Sequence, residues 1–74
     1  MEFELAQGGR ARLEVFDLAG RRVRVLCDET LPAGPHARRW NGRTDEGRVV
    51  PSGTYYLRLA AGCRVDGRTV TLLK

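Results

Sequence analysis

Nucleophilic catalysis in so small a chain would have to come from its one histidine, His36, and its one serine, Ser52. Neither stands in a nucleophile motif such as GxSxG. Ser52 lies between Pro51 and Gly53, where a small polar residue forms turns, and His36 follows Pro35 as an exposed residue at a strand start. Asp45 and Glu46 put two carboxylates side by side, which could share a calcium ion with loop carbonyls. The DxDxDG spacing of such loops is missing, however, and Gly47 is accounted for by a turn. Gly8-Gly9 precedes no helical pattern, so no helix N-terminus aims its amides at a phosphate. Cys27 and Cys63 lack the CxxC spacing of a metal or redox pair; they fit either a single bridge or two free thiols packed as small apolar groups. We expect no catalytic residue, no metal site and no cofactor, and so no enzyme.

Charge admits another chemistry. Thirteen basic residues against nine acidic give a net charge of +4, nearly all of the excess being arginine. Arginine suits anionic partners, nucleic acid among them. Here the basic residues are scattered singly or in pairs among acids, as on a solvated mixed-charge surface. Stacking on bases would also need aromatics gathered on one face. Phe3, Phe16, Trp40 and Tyr55 fall mostly on the apolar side of their own alternations; only Tyr56 must face the other way, because Tyr55 is expected inside. Nucleic acid is therefore not the expected partner. No apolar run approaches the roughly 18 residues that cross a bilayer, so no membrane insertion is expected. Met1 leads directly into the alternating FELAQ; if the parent protein is exported, its signal lies upstream.

The elements that must position these groups read as strands. Met1, Phe3 and Leu5 alternate with Glu2 and Glu4. After Gly8-Gly9, Ala11, Leu13 and Val15 share one face, with Arg10, Arg12 and Glu14 opposite. Asp17 and Gly20 close a hairpin, and Arg22–Cys27 returns. Pro32 and Gly34 make the next reversal, and a short strand is expected over His36–Trp40. Asp45 and Gly47 repeat the turn chemistry, and Gly53 precedes the most strand-prone run, Thr54–Ala61, with Tyr55, Leu57 and Leu59 on one face. Asp66-Gly67 reads as a two-residue hairpin turn before a closing strand, Arg68–Lys74. Six or seven short strands with a turn every eight to twelve residues predict an all-β antiparallel sandwich or small barrel. A chain of 74 residues is one domain or a piece of a larger protein, and it buries only roughly 60% of its unfolded surface.

The loop WNGRTDEGRVVPSGTYY sets the only tryptophan and the tyrosine pair on either side of turn residues. It could hold a ligand between aromatic walls, or bring two core anchors together at a corner. Four motifs decide between these in combination: VFDLAGR at Val15–Arg21, AGPH at Ala33–His36, WNG at Trp40–Gly42 and GTY at Gly53–Tyr55. With them, almost the whole chain resembles the immunoglobulin-like (Ig-like) domain of flagellar hook-capping (FlgD-type) proteins. It is also similar to C-terminal sorting domains of type IX secretion.

The resemblance implies an Ig-like sandwich of about seven strands. Its scaffold anchors would be Leu13, Val15, Phe16, Trp40, Tyr55, Leu57 and Leu59. Its turn residues would be Asp17, Gly20, Gly34, Asp45, Gly47, Gly53, Asp66 and Gly67. It further implies a non-catalytic C-terminal module of an exported or cell-surface bacterial protein, read by secretion or surface machinery or packed against neighbouring subunits. Recognition would then fall on the last strand, at Thr69, Thr71 and Lys74.

Overall fold

The computed structural model describes residues 1–73, and six strands run through them, in two antiparallel sheets. β1 (Glu2–Leu5) pairs with β4 (Gly34–Ala37) in a two-stranded sheet. β2 (Gly9–Phe16), β3 (Arg22–Leu31), β5 (Gly53–Ala61) and β6 (Arg64–Leu72) form a four-stranded sheet in the order β3-β2-β5-β6. An isolated bridge, Arg43 to Val49, closes the loop between β4 and β5. No helix of the described residues is long and apolar enough to cross a membrane.

The core follows from the period-two alternation. Ala11, Leu13 and Val15 of β2 face Ala61, Leu59 and Leu57 of β5 across the ladder. Leu5 joins them from the small sheet, with Cys27, Leu31, Val50 and Tyr55. Met1, Phe3, Val23, Leu26, Trp40, Val70 and Leu72 pack around this centre. The layers therefore meet through the apolar faces that the sequence pattern marked, as in an Ig-like sandwich.

Three boundaries and one side chain differ from expectation. β3 runs on past Cys27 to Leu31, although Asp28, Glu29 and Thr30 are exposed, because β2 offers partners back to Gly9. Two bulges on β3 leave Leu26 and Val23 without opposite residues, and both side chains reach the core. β4 covers Gly34–Ala37 rather than His36–Trp40; the chain leaves the ladder so that the Trp40 indole can insert beside Tyr55.

Asp66 and Gly67 are not a turn: they lie inside β6, opposite Leu59 and Arg58. The hairpin closes at Gly62-Cys63, where Gly62 takes a left-handed φ of 60°. A turn at Asp66-Gly67 would set Ala61 against Leu72 and leave most of β5 without described partners, so the longer ladder prevails. Gly67 is required for another reason. The Tyr56 ring lies across it, and a methyl group there would overlap the phenol. Phe16 is the fourth correction. It follows Val15 on the same strand and so points to the outer face, opposite Tyr56, and not into the core.

Candidate functional site

Around the loop that raised the ligand question, the polar atoms are already engaged. The Trp40 and Tyr55 rings meet edge to face, with centroids 5.1 Å apart and planes at 70°. The Trp40 Nε1–H donates to the Arg43 carbonyl at 2.9 Å. The Tyr55 hydroxyl donates to the Pro51 carbonyl at 2.7 Å, four residues upstream. A buried tyrosine that reaches back in this way is the tyrosine corner of Greek-key sandwiches. Between Trp40 and Tyr55 the backbone holds itself: Val50 N–H donates to Gly42 O, Gly47 N–H to Thr44 O, and Thr44 N–H to Arg48 O. An open cleft of about 790 Å3 borders this loop and the Asp17–Arg22 turn. Trp40 does not line it, and no group of three or more metal-ligating side chains occurs among the described residues.

Most of the other candidates for chemistry are similarly committed. His36 stacks on Phe3 (5.5 Å between centroids) and its Nε2–H donates to the Pro32 carbonyl at 2.8 Å. Cys27 is buried opposite Leu13, whereas Cys63 is exposed at the β5–β6 turn, and both are free thiols. Asp17 accepts hydrogen bonds from the amides of Ala19 and Arg21 and from the Arg21 guanidinium, while Gly20 N–H donates to Asp17 O. The Arg21 amide in particular holds the Asp17 carboxyl below the usual carboxylate range. Asp45 docks on the free edge of β3: its amide donates to Val23 O, and its carboxylate accepts from Val25 N–H at 3.1 Å.

Also accessible are the small sheet, where Glu2, Glu4, Pro35 and Ala37 are exposed, the edge formed by β6, and the outer face of the four-stranded sheet. Glu14, only 3% exposed, sits in the middle of this face and was not singled out by the sequence pattern. Its carboxylate receives Arg22 at 3.1 Å and Arg58 at 3.2 Å, with Arg12 Nε at 3.8 Å. The Arg58 guanidinium also lies 5.2 Å from the Phe16 ring centroid, a cation–π contact. Arg10 pairs with Asp28 nearby and holds that carboxyl low through its side-chain hydrogen bond. Phe16 and Tyr56 thus do share one strand pair, contrary to the expectation that aromatics would be dispersed. The arginines beside them make ion pairs within the face, Arg22 and Arg58 to Glu14 and Arg10 to Asp28. The only sequence hint of the Glu14 cluster was an acid flanked by Arg12 on its own strand.

Along β6, Thr69 and Thr71 lie exposed on the outer face, opposite Tyr56 and Thr54; Lys74 lies outside the described residues. Two packed antiparallel sheets, a tyrosine corner and an aromatic clasp define the class: an Ig-like β-sandwich. Residues 2–63 match the model of the FlgD Ig-like domain, and the chain belongs to that family. The match ends at the β5–β6 turn. No curated protein and no solved structure is similar enough to count as a match.

Proposed function

We propose that this domain is a non-catalytic assembly module of an exported bacterial protein, holding that protein against neighbouring subunits at the cell surface. The observation that carries this reading is where the polar and aromatic side chains are spent. Trp40, Tyr55 and His36 bond to the chain's own carbonyls, and Glu14 to its own arginines, while a sheet face and a strand edge lie open. Membership of the FlgD Ig-like family supports the same class of role. Sheet faces and edges recognise proteins through backbone pairing and side-chain packing. Cross-linking in cells that express the native parent protein tests it: cross-links should run from this domain to neighbouring subunits. A parent protein that assembles unchanged when the domain is deleted would contradict it.

A second reading, a sorting signal for secretion, is favoured by one observation: Thr69 and Thr71 are exposed on an edge strand, where export machinery could read them. Removing Thr71–Lys74 separates the two, with folding checked by circular dichroism. A sorting signal loses export of a fused reporter, whereas an assembly module keeps its cross-links.

A further inference from the structure

The two edges of the large sheet are finished differently. At β3 the outward backbone groups of Val23 and Val25 are taken up by Asp45. At β6, among the described residues, no loop backbone bonds to the outer edge. Of the devices that blunt an edge, β6 has only charge: Arg64, Asp66 and Arg68 stand on its inner face, opposite Ala61, Leu59 and Leu57. It has no proline, its register with β5 is unbroken over nine residue pairs, and Val65 and Tyr56 beside it are 62% and 40% exposed. Such an edge invites another strand.

We infer that the occupant is β6 of a second copy of this chain, paired antiparallel with Gly67 facing its own counterpart. This rests on the assembly reading above and names its partner. The register follows from charge. Pairing that continues the sheet keeps inner faces together, so the twofold axis passes through a residue of the strand. An axis at Asp66 sets aspartate against aspartate, and Arg64 against Arg68. An axis at Arg68 sets arginine against arginine. At Thr69 it places Asp66 opposite Leu72 and Arg68 opposite Val70, so neither charge meets one of opposite sign. At Val65 the overlap shrinks to Arg64–Asp66. Only at Gly67 do Asp66 and Arg68 of one copy meet Arg68 and Asp66 of the other, while Val65 meets Thr69 on the outer face and Arg64 meets Val70 at the two ends of the pairing. Asp66 already bonds Arg64 at 3.1 Å in its own strand, so it would sit between two guanidinium groups. At the axis each copy would contribute Gly67, the one glycine within β6, covered on its outer face by its own Tyr56 ring.

The test is charge exchange read by analytical ultracentrifugation. The parent chain should self-associate, and Asp66→Arg and Arg68→Asp should each weaken that by at least about tenfold through like-charge facing. An equimolar mixture of the two variants should regain a dimer, because every facing pair becomes opposite in sign, although both proteins remain net positive. Circular dichroism establishes that each variant is folded. A parent chain that stays monomeric, variants that dimerise like the parent, or folded variants whose mixture stays monomeric would each overturn the pairing. None of these results bears on cross-links to other subunits, so the assembly reading stands or falls separately.

Discussion

The hydroxyl of Tyr55 reaches back to the Pro51 carbonyl and fixes the direction in which the chain enters β5. Tyr55→Phe removes that bond and leaves the carbonyl short of a partner, so chemical denaturation should show a loss of about 1 kcal/mol. Gly67 carries the opposite lesson, since its role is to be empty. Gly67→Ala should destabilise by about 1–3 kcal/mol through overlap with the Tyr56 ring, and most of that cost should vanish in a Tyr56→Ala background. If the two effects simply add, the ring does not lie on the glycine. Glu14 is held by charge-assisted hydrogen bonds from Arg22 and Arg58. Glu14→Gln should cost about 1.5–3 kcal/mol in the same assay, the range expected for hydrogen bonds to a charged group.

Among the elements, the β2–β3 hairpin should make the fold sensitive to acid. Asp17 is depressed by the Arg21 amide and Asp28 by the Arg10 side chain. For a depressed carboxyl the stabilisation is fully present above the unfolded value, about 4, and is lost as pH falls through the lower folded value. Asp17→Asn should therefore lower the thermal midpoint at neutral pH, and its difference from the parent should close below about pH 4. An equal difference at every pH would assign the loss to the turn's hydrogen bonds and not to the charge. This hairpin was legible in the sequence because Asp17 and Gly20 act locally. The β5–β6 hairpin was not. Gly62-Cys63 is a weaker local signal than Asp66-Gly67, and the length of the ladder with β5, a non-local quantity, overrode it. Phe16 failed for a related reason: its hydrophobicity suggested the core, but strand parity placed it outside, against Arg58.

At the scale of the molecule, alternation alone predicted two apolar faces meeting, and Leu13, Val15, Leu57 and Leu59 are buried where it put them. The candidate site was less legible, since the buried carboxylate on the outer face and the open edge of β6 emerge only when strands are placed side by side. So thin a core leaves a net stability of only a few kcal/mol. The central claim is that the largest rings serve the scaffold and not a ligand. Equilibrium unfolding of Trp40→Ala tests this most directly. Loss of the indole, with its contact to Tyr55 and its bond to Arg43, should cost about 3 kcal/mol and leave much of the protein unfolded at room temperature. An unfolding midpoint indistinguishable from that of the parent chain would contradict it.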